Sequence, residues 1–214
     1  MRGLGIHERW GFPYNLGRGE MMARENKFTK SDLFRVTRQL LLQHGYTGFH
    51  FGLIADQLKI TRAALYKYFH NKDELITEYM AFEMERFMED LEKINELPSF
   101  EEQLDYLLEV IFKYSPIHQI LSMIFQIPKT NHGKVKQTLL HLEEQHEKMY
   151  SYLNGFIQLG KKENILKPEL PNHLILGFIF QTVNIPNLTK LPEKEWKKLI
   201  KEFLCYGMYI EKHN

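Results

Sequence analysis

Residues 45–75 read GYTGFHFGLIADQLKITRAALYKYFHNKDEL, and the folding of this stretch decides the rest. Residues 51–58 put Leu53, Ile54 and Leu58 inward, and after a turn residues 62–69 put Leu65 and Phe69 four apart on one side. That spacing predicts two short helices packed across a tight turn. The second helix keeps Arg62, Tyr66 and Lys67 on the side its apolar residues leave free. Rings and cations exposed together on so short a helix serve no packing purpose, whereas a polyanion satisfies both. Duplex DNA is the expected partner.

Outward from this stretch the chain reads as helix after helix, with no convincing alternating strand. Leu33, Val36, Thr37, Leu40 and Leu41 repeat at three and four over about 30–44, and Gly45 stops that helix. Thr61 is placed to cap the helix at 62–69. Asn71-Lys72-Asp73-Glu74 resembles a capping box that opens a helix running to about Glu96, before Pro98. Further helices are expected at about 100–114, 116–127, 134–162, 171–186 and 193–211, with prolines near their ends. The fold class is therefore all-α, with about nine helices: an N-terminal three-helix helix-turn-helix domain, then a C-terminal helical domain.

Residues 1–22 contain five glycines and one proline without periodicity and are expected to be a disordered leader. Arg18-Gly19-Glu20 can be encoded by purine-rich codons resembling a ribosome-binding site, so translation is expected to start at Met21 or Met22. Cys205 is the only cysteine, which excludes an internal disulfide and suits a reducing cytoplasm. No apolar run approaches the roughly 18 residues a bilayer requires.

Net charge is +1 over the chain but uneven: residues 24–72 carry +6 and residues 73–214 carry −6. A basic front on an acidic body fits a nucleic-acid-binding head joined to a domain with another task. In a helix-turn-helix the second helix enters the major groove. Ala63 and Ala64 keep the entering end slim, and the free amides beside Thr61 favour phosphate. Arg62 and Lys67 can reach guanine edges or phosphates, and Tyr66 can donate to phosphate. Tyr68 either joins this face or half-closes the core, and Lys72 is expected to clamp a phosphate.

Gly45-Tyr46, Ile54-Ala55, Ile60-Thr61, Leu65-Tyr66, Tyr68-Phe69 and Lys72-x-Glu74-Leu75 stand in the order and spacing of the TetR (tetracycline-repressor-like) family of bacterial transcription regulators. The resemblance covers about residues 28–80. It implies a DNA-binding domain over 23–80, with the helix-turn-helix at about 50–69, and an effector-binding and dimerisation domain over 81–214. Three positions depart from the family. His50 stands where a Ser or Thr usually caps the second helix and touches phosphate. Gly52 replaces a longer polar residue. Lys59 replaces the glycine of the turn, which would put a side chain near positive φ.

The resemblance also implies a homodimer on a palindromic operator and an unknown small-molecule effector. Phe178, Trp196, Ile200, Phe203 and Leu204 lie on apolar stripes of the last two helices and are candidate interface residues. The same helices can instead pack only within their own chain. The body is rich in rings and methionines, among them Phe87, Phe125 and Met149. Tyr106, Phe112, His118, Met123, Tyr152 and Phe156 are the candidate pocket, with His118 as a polar anchor.

No nucleophile elbow, zinc-protease motif or phosphate-binding glycine loop is present. His141 and His146 are five apart, about 140° around a helix and poorly placed for one ion. No cofactor, metal or membrane is expected, and the chain is not read as an enzyme. The expected function is a cytoplasmic, sequence-specific transcriptional regulator, a homodimeric repressor released by its effector. The alternatives are a DNA-modifying or recombining enzyme with an accessory helix-turn-helix, or a protein-interaction module.

Overall fold

The computed structural model describes residues 28–128 and 133–208. The leader and the start at Met21 or Met22 therefore lie outside the described residues. Nine α-helices are formed among those described: α1 (Lys30–Gly48), α2 (Phe51–Leu58), α3 (Arg62–Tyr66), α4 (Lys72–Glu92), α5 (Phe100–Lys113), α6 (Ser115–Leu121), α7 (Lys134–Lys162), α8 (Asn172–Gln181) and α9 (Glu193–Met208). Short 3-10 turns at Lys93–Glu96, Ser122–Gln126 and Thr182–Asn184 follow α4, α6 and α8.

Caps at three helix starts build the head. Thr29 Oγ1 accepts the Asp32 N–H at 3.0 Å while the Asp32 carboxylate accepts the Thr29 N–H at 3.1 Å, a reciprocal capping box that launches α1. The helix breaks where expected: Gly45 has φ +64°, and the last residues assigned to α1 lie beyond that kink. The inward side of α1 buries Leu33, Phe34, Val36, Leu40 and Leu41 against Ile54 of α2, Leu65 of α3 and Phe69. Leu53 and Leu58 are only half-buried, and Phe51 and Ala55 take inward places instead.

α3 is shorter than the sequence predicts, five residues ending at Tyr66 rather than Phe69. The Tyr68 and Phe69 N–H groups both close on the Leu65 carbonyl, at 2.9 and 3.1 Å, so a turn carries the chain on and still buries Phe69 beside Leu65. α4 joins the head through Leu75, Ile76 and Tyr79, then crosses the expected boundary at residue 80 and packs along α7. Lys134, the first residue of α7, forms an ion pair with the buried Glu78 of α4. Burial, opposed by that ammonium, raises the Glu78 pKa.

In the body, α5 and α7 meet where the Phe100 and Phe156 rings stack with centroids 4.7 Å apart. Gly160 permits that approach, since a Cβ there would stand 2.6 Å from Phe100 Cδ2. No helix among the described residues is long and apolar enough to cross a membrane.

Candidate nucleic-acid interface and effector cavity

α3 is held from behind and bare in front. Thr61 Oγ1 accepts the Ala64 N–H at 3.3 Å, capping the helix as expected. Leu65 and Phe69 are buried, whereas Arg62, Ala63, Lys67 and Tyr68 are exposed and Ala64 is half-buried. Tyr66 is 57% exposed, yet its ring is steadied by an edge contact with Phe51 at 5.0 Å between centroids. Tyr68 sits at the margin of the same face, its ring edge-on to Phe28 at 6.1 Å. The outward surface is thus a short ledge of guanidinium, methyl, phenol and ammonium groups on an apolar foundation.

The turn before α3 carries the departures noted in the sequence. Lys59 does adopt the left-handed conformation, φ 56° and ψ 42°, and the Ile60 N–H closes the turn on the Ala55 carbonyl at 3.0 Å. His50 occupies the cap position of α2 without a side-chain cap bond. A Cβ built on Gly52 would lie 2.9 Å from His50 Nδ1. The His50 ring folds back over Gly52, so two apparent departures are one coupled arrangement.

Lys72 behaves differently from expectation. Its ammonium donates to the carbonyl of Tyr46 at 2.7 Å and of Phe49 at 3.3 Å, and it stands 4.1 Å from the centroid of the Tyr46 ring. It staples the α1–α2 turn to the start of α4, so the clamp closes on backbone of its own chain. The Tyr46 hydroxyl donates to Asp73 at 2.9 Å; burial first, then the Asp73 carboxylate, pushes its pKa up to about 12. Asn71 caps α4 by accepting the Glu74 N–H at 2.9 Å. Glu74 takes the His70 N–H at 2.8 Å, so the reciprocal half of the expected capping box is absent.

A cavity of about 1610 Å³ opens between α4, α6, α7 and the end of α8. Of the six residues proposed from sequence, His118 lines it. The other five are used elsewhere. Tyr106 donates to the Asp90 carbonyl at 2.7 Å and Tyr152 to that of Glu92 at 2.8 Å. Phe156 lies under Phe100, Met123 is buried in the core, and Phe112 is half-buried against it. Glu83, Phe87, Tyr114, Tyr150 and Phe180 form the wall instead. Burial lowers the His118 pKa, which favours the neutral imidazole. Met80, Met84 and Phe87 continue the apolar repeat of α4 at steps of four and three; that repeat was the available signal for this wall.

Residues 33–79 match the family described as bacterial regulatory proteins, tetR family. Over that segment, from α1 into α4, the chain resembles the TetR family. By sequence it matches no curated protein. Among solved structures it is similar to the ketosteroid transcriptional regulator KstR2 of Mycobacterium tuberculosis, with 17% identity over 85% of this chain and 95% of that one, at a TM-score of 0.65. It is similar also to FadR from Bacillus subtilis in complex with stearoyl-CoA, with 20% identity, 84% and 99% covered, and a TM-score of 0.62. A third is AibR in complex with isovaleryl coenzyme A and operator DNA, with 16% identity, 80% and 96% covered, and a TM-score of 0.64. At such identities these likenesses speak for the fold alone.

The chain leaves part of α8 and α9 uncovered. Of the expected interface residues, Phe178 is 62% and Phe203 79% exposed, whereas Ile200 and Leu204 are buried within the chain and Trp196 is half-buried. Leu174 lies one turn before Phe178, and Leu199 and Tyr206 flank Phe203; all three are exposed. The sequence stripe on α9 is therefore two stripes, one turned to α8 and one turned out. The end of this helix expected at 211 lies outside the described residues.

Proposed function

We propose that this chain is a TetR-family regulator, a cytoplasmic homodimeric repressor that holds a palindromic operator and leaves it when a small molecule fills the cavity. The observation that carries the reading is the α3 ledge, with Arg62 and Lys67 exposed beside Tyr66 above buried Leu65 and Phe69. Arg62 and Lys67 read base edges or grip phosphates, Tyr66 and Tyr68 donate to phosphates, and Ala63 and Ala64 let the helix enter the groove. Thr61 and His50 lie at the helix starts nearest the backbone, where short donors suit phosphate. Lys72 acts one step back, by fixing the turn from which α2 departs.

Residues 23–80 form the reading head, and residues 81–214 sense and dimerise. The exposed stripes of α8 and α9 suit a four-helix contact with a second copy, which sets two heads roughly 34 Å apart, one turn of duplex. α4 links the two tasks, because it begins at the head and forms a wall of the cavity. A ligand that prefers a different α4 setting lowers operator affinity by its difference in binding free energy between the two settings.

Selection of bound duplexes from a random pool, followed by titration at several salt concentrations, tests the reading. A palindromic motif is expected, with affinity falling steeply as salt rises. Binding that is indifferent to sequence, or insensitive to salt, overturns it.

A further inference from the structure

The character of the cavity wall goes beyond its location. Among the described lining residues, Glu83 is the one buried charged side chain, 6% exposed. Its partner Arg86 approaches one carboxylate oxygen at 3.4 Å, a long contact from a half-exposed arginine on the outer side. One turn along α4 stands Phe87, whose ring lies 5.3 Å from Tyr114 and 6.3 Å from Phe180. Tyr150 continues the wall, 6.0 Å from Phe180. The Tyr114 hydroxyl is already donated to Asp90 at 2.9 Å, which leaves that residue its ring to offer. Each ring has a face of negative potential, and a carboxylate beside them adds to it.

Positive charge is scarce by comparison. Lys136 is the only Lys or Arg among the described lining residues, and it is exposed, as are Glu143 and His146 nearby. Burial lowers the pKa of His118, which favours its uncharged form. A CoA thioester brings several phosphate charges, for which this lining supplies no cluster of cations. An apolar body with one permanent positive charge is a better complement.

Resting on the reading of this cavity as the effector site, we propose that its ligand is a lipophilic cation, a quaternary ammonium or protonated amine carried on an apolar body. Its charge sits between Glu83 and the rings of Phe87, Tyr114 and Phe180, and its apolar body runs along Met84, Met149 and Ile117.

Three probes of one tail length separate the charges: decyltrimethylammonium, 1-decanol and decanoate, each below its micellar concentration, with stearoyl-CoA as a bulky anion. Binding to the full chain is measured by calorimetry, and release of the selected duplex by fluorescence anisotropy. The ammonium is expected to bind at least tenfold tighter than the alcohol, with decanoate weakest. Glu83→Gln keeps the shape and is expected to loosen the ammonium about tenfold or more while leaving decanol unchanged. Phe180→Leu gives the same preference should the first variant fail to fold. Equal binding of the three probes, or tighter decanoate or stearoyl-CoA, overturns the cation inference and leaves the effector reading standing. Failure of all four to bind or to release DNA overturns both.

Discussion

Two of the surfaces that expose aromatic rings among the described residues differ in what surrounds those rings. On α3, Tyr66 lies between Arg62 and Lys67 and leans on Phe51. On α8 and α9, Phe178 and Phe203 have Leu174 and Leu199 for exposed neighbours along the helix. A ring among cations keeps its hydration in the free protein and gains most from a polyanion, whose phosphates pair with the charges. Rings among leucines gain nothing from an anion; they gain from a dry, shape-matched surface, which a second copy of the same stripe supplies. Exposed aromatic area by itself does not identify the partner. The excess of one sign of charge within one helical turn does: Arg62 and Lys67 flank Tyr66 with no acid between them, whereas Lys201 and Glu202 beside Phe203 are opposite in sign.

The comparison breaks most visibly at the foundation of α3. Leu65→Ala empties a fully buried position and is expected to cost about 2–5 kcal/mol; urea unfolding read by circular dichroism checks it. A loss under 1 kcal/mol would mean that α3 is not seated by its core. At the apolar surface, Phe203→Glu is expected to weaken self-association by about 2 kcal/mol or more with helix content unchanged. Sedimentation velocity decides, and an unaltered dimer removes this stripe from the interface. Arg62→Ala is expected to weaken the selected duplex by about 1–3 kcal/mol and unrelated duplexes by less. Equal losses on both leave Arg62 a phosphate contact only.

Two lysines sharpen the contrast within the head. Lys67→Ala is expected to reduce the slope of log affinity against log salt by about one. Lys72→Ala is expected to leave that slope intact and to lower the thermal midpoint, because its ammonium is spent on the Tyr46 and Phe49 carbonyls. A drop in slope for Lys72→Ala would return it to the DNA face. The smallest effect belongs to His118, whose pKa is lowered from 6.5 by burial. The unfolded chain then binds more protons than the folded one between that lowered value and 6.5. Stability is complete above pH 6.5 and declines as pH falls through this window. His118→Gln is expected to flatten that part of the pH profile, measured by thermal unfolding from pH 7 to 5.

Legibility follows the range of the forces involved. α2 and α7 run over 51–58 and 134–162 as their periodicity predicts. The left-handed Lys59, the break at Gly45 and the caps at Thr61 and Asn71 were also readable, since each depends on a few adjacent residues. The capping box of Thr29 and Asp32 was equally local; it was missed because Asp stands where Glu or Gln is the usual signal. The hydrogen bonds of Lys72 were not readable in this way, because their acceptors are 26 and 23 residues away. Tyr106, Tyr152 and Phe156 were placed in the pocket by residue type, and their actual contacts lie 16 to 60 residues distant along the chain.

From the residues alone came an all-helical chain, a helix-turn-helix near its front, and a short third helix whose outer side is cationic and aromatic. Periodicity, turn chemistry and capping act within one or two turns, so the order of residues suffices to specify them. The folded arrangement decided which lysine is held inward, where the space between helices remains unfilled, and which apolar residues of α8 and α9 stay uncovered. A cavity and a bare stripe are what packing leaves over. They depend on every helix that meets at that point, and no single stretch of sequence contains them.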